Sequence, residues 1–229
     1  MIDLHTHILP KMDDGSQSVE ETAKLLEILK QQGVTEVAAT PHFYASRENP
    51  EDFLRRRAEC IQNMPAQPGL RIYYGAEVAY FPGMQNCDAL MELKIGDTNL
   101  LLVEMPFRSW TERVIEDICA IPVQLGLTPV LAHVDRYRGL GQFPKYRHRL
   151  AENEVLFQCN AEAFERGASC RWALKQVKDG FIDFLGSDCH NLAARSPKLD
   201  IATAMIQKKA GTEALDQLSE TASAWLHGE

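Results

Sequence analysis

The sequence lacks the features of an exported or membrane-spanning protein. No basic segment followed by an apolar one opens the chain, and no run approaches the roughly 18 apolar residues that cross a bilayer. The six cysteines include no CxxC pair. We therefore expect free thiols in a reducing cytoplasm rather than a disulfide framework, and no insertion into a membrane.

An excess of basic residues is also missing. The chain has 24 lysines and arginines against 32 aspartates and glutamates, which gives a formal net charge of -8. Because this charge repels a phosphate backbone, general binding to DNA or RNA is not expected. A length of 229 residues, 45% of them hydrophobic, suits one substantial core, so residues 1–229 are predicted to form a single domain.

The chain repeats a strand followed by a helix about seven times. Apolar strands such as Asn99–Val103 alternate with segments of helical periodicity such as Val19–Leu29 and Glu162–Lys178. This order predicts a parallel sheet with crossover helices, which fits either a closed barrel or an open, doubly wound sheet. No glycine-rich phosphate fingerprint follows the first strand, which disfavours the dinucleotide-binding version.

Side chains that bind metals follow the predicted strand ends. Residues two apart on a strand point the same way, so the pairs at His5 and His7, and at Asp188 and His190, can each face one ion. The other candidates are Asp14, His42, Glu77, Glu104 and His133. Strand ends of a barrel share one rim, so the nine side chains are expected to converge. Imidazole and carboxylate donors suit Zn, Mn or Fe, and nine are enough for two or three ions.

The motifs together resemble those of a known superfamily. The segments HTHILPKMDDG, TPH, GAE, LVEMPF, HVDR and SDCHN, in this order, are similar to the motifs of the PHP superfamily. More narrowly, they resemble the bacterial manganese-dependent protein-tyrosine phosphatases of capsule and exopolysaccharide clusters, and MDDG favours this branch over the histidinol-phosphate phosphatases. The resemblance spans Met1 to about Arg195. It implies a distorted (β/α)7 barrel with a metal site at the C-terminal ends of the strands.

The resemblance also implies three divalent ions, in the first place Mn2+, with Fe or Zn as alternatives. It gives His5, His7, Glu77 and Asp188 to the first ion, Glu77, Glu104 and His133 to the second, and Asp14, His42 and His190 to the third. Arg136 and Arg195 match family positions and are expected to hold phosphate oxygens. The expected catalytic set is therefore Arg136, Arg195, Asp14 and His42. One departure is HVDR in place of the usual HPER, with the His and the Arg retained.

The implied activity is hydrolysis of phosphotyrosine by a metal-bound hydroxide. The implied partner is a bacterial tyrosine autokinase that controls polysaccharide export, and the sequence leaves a homo-oligomer open. An alternative keeps the metals but takes a small phosphomonoester such as histidinol phosphate. A non-catalytic regulator is disfavoured, because the ligand set is complete.

Several nearby residues are given other roles. The spacing from Cys189 to Arg195 matches C-x5-R, but the segment has none of the glycines that an anion-binding loop of a thiol phosphatase uses. Asp13 is expected to face solvent or to form a turn. His148 and His227 lie in polar helical surroundings and are not expected to belong to the site. Tyr80, Phe81 and Phe107 line the pocket mouth or pack in the core, and Trp110 is expected in the core.

Overall fold

The structure is a computed structural model that describes residues 1–140 and 142–228. Within these residues the strands are β1 (Ile2–Thr6), β2 (Glu36–Ala39), β3 (His42–Phe43), β4 (Arg71–Tyr74), β5 (Glu77–Ala79), β6 (Leu100–Glu104), β7 (Thr128–Leu131), β8 (Leu156–Asn160) and β9 (Phe184–Gly186). The α-helices are α1 (Val19–Gln31), α2 (Pro50–Gln62), α3 (Glu112–Leu125), α4 (Gln142–Ala151), α5 (Gly167–Lys178), α6 (Leu199–Ala210) and α7 (Thr212–His227). None of these helices has the length and apolar character to cross a bilayer.

Two strand positions are each occupied by a broken strand. Pro41 separates β2 from β3, and Gly75 and Ala76 separate β4 from β5. The two sheets have the orders β1-β2-β4 and β3-β5-β6-β7-β8-β9, and every pairing is parallel. Proline has no N–H to donate, so the ladder cannot run unbroken through position 41. The break starts a new short strand, which carries His42 toward the site.

The last strand meets the first and curls the sheet into a barrel. The His7 amide donates to the Cys189 carbonyl at 2.9 Å, and the Asp188 amide donates to the His5 carbonyl at 2.8 Å. A parallel bridge joins Thr6 to Cys189. The prediction of a distorted (β/α)7 barrel is therefore confirmed. The closure also places His5 and His7 of β1 next to Asp188 and His190, which follow β9.

Alternation along the strands builds two apolar layers. Leu100 and Leu102 of β6 face a small interior core, whereas Leu101 and Val103 belong to the larger core under the helices. This explains the continuous apolar run, because a parallel strand is buried on both faces. Ala222 and Leu226 of α7 pack into the interior core. Helix α7 therefore closes the end of the barrel opposite the strand C-termini.

The first three helices begin at residues that follow local capping rules. The side chains of Ser18, Asn49 and Thr111 accept backbone N–H groups at the starts of α1, α2 and α3. The predicted helix over residues 162–178 is interrupted. A short 3-10 turn at Ala161–Phe164 precedes α5, which begins at Gly167, a residue with φ 73°. A left-handed backbone cannot continue a right-handed helix, so the helix starts again there.

Candidate metal centre

The structure brings all nine predicted ligand residues together at the C-terminal ends of the strands. Seven of them form three overlapping groups: ligand atoms of His5, His7 and Glu77 lie within 4.8 Å of one another, as do those of His42, Glu77 and Glu104, and those of His7, Asp14, His42 and His190. Asp188 lies 3.4 Å from the His7 Nε2 atom. His133 Nε2 lies 2.8 Å from Glu77. Glu77 is therefore shared between two groups, and burial keeps most of these side chains from solvent.

The DDG turn is shaped by its contact with His7. A Cβ atom on Gly15 would lie 2.1 Å from the His7 carbonyl oxygen, so only glycine fits there. The turn directs Asp13 inward, where its Oδ2 atom lies 2.7 Å from His7 Nδ1 and accepts the His42 amide at 2.9 Å. Asp13 also accepts the Gly15 amide, so the predicted turn role is present. The prediction that Asp13 faces solvent is wrong, because its side chain is 9% exposed. In the sequence, the glycine that follows the two aspartates was the feature that could have indicated the inward direction of Asp13.

Two of the nine residues have strained backbones. His133 has φ 35° and Asp188 has φ 51°, both in the left-handed region that side chains other than glycine seldom occupy. Each residue comes just after a strand, β7 or β9, where the chain turns across the rim. Strain of this kind persists where the surroundings enforce it, and it concentrates at functional sites.

Several nitrogen and oxygen atoms of the cluster lie close to one another, and some of them have no hydrogen-bond partner in the described chain. His42 Nδ1 and Glu77 Oε2 lie 2.8 Å apart but lack hydrogen-bond geometry. His190 Nε2 is also buried without a partner in the described chain. The Nε2 atoms of His5 and His7 are only 3.1 Å apart. Lone pairs held this close repel unless a cation or a proton lies between them, so the arrangement fits divalent metal ions.

The two buried carboxylates of the cluster, Glu77 and Asp188, are held in the charged form. Burial alone would raise the pKa of Glu77, but His5, His133 and His42 hold it well below its usual value. Burial likewise opposes the charge of Asp188, while His5, His7 and Arg136 hold its pKa well below the usual range. Buried anions need cationic partners. The donor set is thus prepared for positive charge and contains no cysteine ligand, a combination suited to Mn, Fe or Zn.

The two predicted arginines border the site from the same side. Arg136 donates to Asp188 Oδ2, and Arg195 donates to Asp188 Oδ1 at 2.8 Å. Both guanidinium groups are about a third exposed, at 34% and 32%. They therefore lie between the buried carboxylate and solvent, with donors left over for an anion that enters from outside.

The loop that departs from the family pattern is tied to β8. Asp135, which takes the place of the usual glutamate in HVDR, accepts the Asn160 amide at 2.9 Å. His133 and Arg136 on either side of it keep their places in the cluster. The shorter acid therefore has a structural partner of its own and leaves the neighbouring His and Arg available to the site.

The cysteine next to Asp188 is not a nucleophile in this arrangement. Cys189 is fully buried, and burial raises the pKa of its thiol. The amides of His190 and Asn191 donate to the Arg195 carbonyl instead of pointing into an anion cradle. The free state of all six cysteines agrees with the sequence prediction.

The other two histidines, His148 and His227, lie away from the metal centre, as predicted. His148 packs edge-on against Phe181, with ring centroids 4.9 Å apart. His227 Nε2 lies 3.0 Å from Glu36 at the end of the barrel closed by α7. Neither belongs to a group of ligand atoms in the described chain.

Two cavities of similar size flank the cluster and differ in character. One, of about 320 Å3, is lined by charged groups that include Asp14, Arg47 and Arg56. The other, of about 300 Å3, lies beside Glu104 and is lined by Tyr80 and Phe107 with two prolines. The Phe107 ring is 55% exposed and stacks on His133 with centroids 5.8 Å apart. Trp110 is 3% exposed and lies in the core as predicted.

A family model described as "Capsular polysaccharide synthesis, CpsB/CapC" matches residues 1–226. The chain belongs to the CpsB/CapC family. It is 29% identical to the tyrosine-protein phosphatase CpsB of Streptococcus agalactiae, over 95% of this chain and 94% of that protein. It is 28% identical to the tyrosine-protein phosphatase YwqE of Bacillus subtilis, over 100% of this chain and 92% of that protein. The family resemblance read from the motifs is therefore confirmed.

The fold has a counterpart among solved structures of the same group. A structure described with YwqE from Bacillus subtilis and CpsB from Streptococcus pneumoniae as metal-dependent tyrosine phosphatases matches with a TM-score of 0.85. The match covers 100% of this chain and 95% of that one at 24% identity. At this identity the likeness supports the fold, and the chemistry has to be argued from the residues.

Proposed function

We propose that this CpsB/CapC protein is a metal-dependent protein-tyrosine phosphatase. The observation that carries the proposal is the cluster of nine imidazole and carboxylate side chains, with unpartnered buried ligand atoms, at the rim where barrel enzymes place their active sites. Relatives over nearly the whole length of the chain are named tyrosine-protein phosphatases.

The nine residues divide among three ions, for which Mn2+ is the first choice. His5, His7, Glu77 and Asp188 hold the first ion, Glu77, Glu104 and His133 the second, and Asp14, His42 and His190 the third. The close groups around His5 and around Asp14 support the first and third sets. His133 Nε2 lies 2.8 Å from Glu77 and 3.4 Å from Glu104, which supports the second. Glu77 belongs to both of the first two sets and would contribute to holding both ions.

Divalent ions held by these residues would supply Lewis acidity to a water molecule and positive charge to the phosphoryl oxygens. Three divalent ions bring six positive charges, and the four ligand carboxylates cancel four of them, so the site stays cationic toward a phosphate dianion. Arg136 and Arg195 bind the phosphoryl oxygens that face solvent, because each guanidinium presents several donors in one plane. Asp14 and His42 lie on the side of the site from which we infer that the water molecule attacks.

The aromatic cavity supports an aryl leaving group. A phenol ring placed against the exposed face of Phe107 keeps its phosphate next to Glu104, since both residues line this cavity and the other face of Phe107 packs on His133. Aromatic stacking contributes about 0.5–1.5 kcal/mol beyond buried area. The natural substrate that we infer is a phosphotyrosyl protein of capsule or exopolysaccharide synthesis, specifically a bacterial tyrosine autokinase.

The proposal is tested by turnover of a phosphotyrosyl peptide and of histidinol phosphate by metal-free protein, with Mn2+ restored and with excess chelator. We expect the peptide to be the better substrate and chelator to abolish its hydrolysis. Preference for histidinol phosphate would indicate that the substrates are small phosphomonoesters instead of phosphotyrosyl proteins. Hydrolysis of neither substrate, or a rate that chelator leaves unchanged, would refute a metal-dependent phosphatase.

A further inference from the structure

Strand β8 supplies two buried amides to the cluster although we take no metal ligand from it. Gln158 is fully buried and Asn160 is 3% exposed. They are two residues apart and lie on one face of the strand, as His5 and His7 do on β1. Gln158 lies between residues from β1 and the end of β7, and Asn160 contacts Asp188 at the end of β9.

The orientation of the Gln158 amide is dictated by a backbone group. The His133 N–H donates to Gln158 Oε1 at 2.7 Å, and a backbone N–H can only donate, so the oxygen must face it. The same oxygen lies 3.1 Å from His5 Nδ1. An oxygen accepts, so a neutral His5 carries its proton on Nδ1. The Nε2 atom of neutral His5 then presents its lone pair to the cluster.

The fixed amide also determines its neighbour. With Oε1 occupied, Gln158 Nε2 donates to Asn160 Oδ1 at 3.0 Å, and Asn160 Nδ2 then donates to Asp188 Oδ2 at 2.9 Å. Gly186 makes room for this chain, because a Cβ there would lie 2.6 Å from Gln158 Nε2 and 2.7 Å from His5 Cβ. The sequence of donors runs in one direction from the His133 amide to the Asp188 carboxylate.

We infer that Gln158 and Asn160 are positioning residues that fix the tautomer of His5 and the orientation of Asp188 for metal binding. The inference rests on the proposed metal sites, since both residues that the amides hold are assigned to the first ion. Groups behind the ligands of a metal site are worth about 10–100-fold in affinity. A neutral amide does this while adding no further negative charge to a site that already holds four carboxylates.

The test compares two buried glutamines. Gln158→Met keeps the size of the side chain but removes the acceptor, whereas Gln158→Glu keeps an acceptor for His5 and His133. Gln176→Met is the matched control, because Gln176 is 2% exposed and bonded to Arg147 far from the cluster. The readouts are the Mn2+ dissociation constant of metal-free protein by calorimetry and the His5 tautomer by 15N NMR of the metal-free protein.

We expect Gln158→Met to weaken Mn2+ binding about 10–100-fold, Gln158→Glu to recover part of the loss, and Gln176→Met to leave affinity unchanged. The wild-type spectrum, recorded at a pH where His5 is neutral, should show its proton on Nδ1, and this result needs no variant to fold. A neutral His5 with its proton on Nε2, or wild-type affinity in Gln158→Met, would overturn the inference. Neither readout uses phosphatase activity, so failure of the inference is separate from failure of the proposed function.

Discussion

The two ends of the barrel treat charge in opposite ways. At the strand C-termini, Glu77 and Asp188 are buried, held ionised, and crowded by histidines whose lone pairs lack partners. At the α7 end, Leu226 and Ala222 pack against the interior core beside a cavity of about 890 Å3, and the contact of His227 Nε2 with Glu36 lies partly in solvent, where it contributes little. One end is therefore built around buried charge and the other around apolar packing.

The same contrast appears in two aspartates on either side of β9. Asp188 follows the strand and is kept charged by His5, His7 and Arg136. Asp183 precedes it, accepts the Phe157 amide at 2.8 Å, and has its pKa raised to about 6 by burial. Asp188 lies five positions after Asp183 in the sequence. The fold favours the charged form of Asp188, whereas it favours the neutral form of Asp183. Substitutions at the two ends should accordingly separate activity from stability.

The largest effect is expected from Asp188→Ala at the open end. Loss of a ligand that faces both His5 and His7 should lower kcat/KM for a phosphotyrosyl peptide by at least about a thousandfold, or about 4 kcal/mol. Circular dichroism should show the fold retained. Asp183→Ala is the matched control and should leave kcat/KM per folded molecule unchanged. Comparable activity losses in both variants would remove the contrast between the ends.

At the closed end, Leu226→Ala should act on stability alone. Removal of a buried leucine from a packed core costs about 2–5 kcal/mol, because a cavity is left where its side chain was. Chemical denaturation should show this loss, while kcat/KM at low temperature stays at the wild-type value. Ile201→Ala on the outer face of α6, where the side chain is 39% exposed, should cost much less. An activity loss in Leu226→Ala beyond the unfolded fraction would count against the division.

Asp183 should make the closed end sensitive to pH. Its pKa is raised from about 3.9 in the unfolded chain to about 6 in the fold, so the folded state binds more protons between these values. Its contribution is fully present below about pH 4 and is lost as the pH rises through 6, by about 3 kcal/mol. Asp183→Asn should remove that decline in the free energy of unfolding. Asp179→Asn is the control, because the Lys175 hydrogen bond lowers the pKa of that exposed carboxyl. A decline that survives in Asp183→Asn would assign it to another group.

A smaller effect is expected from Phe107→Ala beside the open end. Loss of stacking should lower kcat/KM for an aryl phosphate about tenfold and leave an alkyl phosphomonoester unaffected. Equal losses on both substrates would mean that Phe107 supports His133 instead of the leaving group.

The convergence of the ligands was predictable because strand ends of a parallel barrel share one rim. Asp13 was not, since its direction depends on how closely the turn at Gly15 approaches His7. Gln158 and Asn160 carried a signal that was missed: two polar residues with spacing i, i+2 in a buried strand, the same spacing as His5 and His7. The break before α5 depends on the left-handed backbone of Gly167. The periodicity of the apolar residues gives no information about this backbone angle, so it did not predict the break.

Counting the bound Mn2+ ions tests most directly whether the nine side chains hold three divalent ions. Metal-free protein dialysed against Mn2+ and then analysed for metal should hold three ions per chain. His42→Ala, which removes a ligand of the third ion, should hold two. Wild-type protein that retains no Mn2+ above the level in the dialysis buffer would contradict the account.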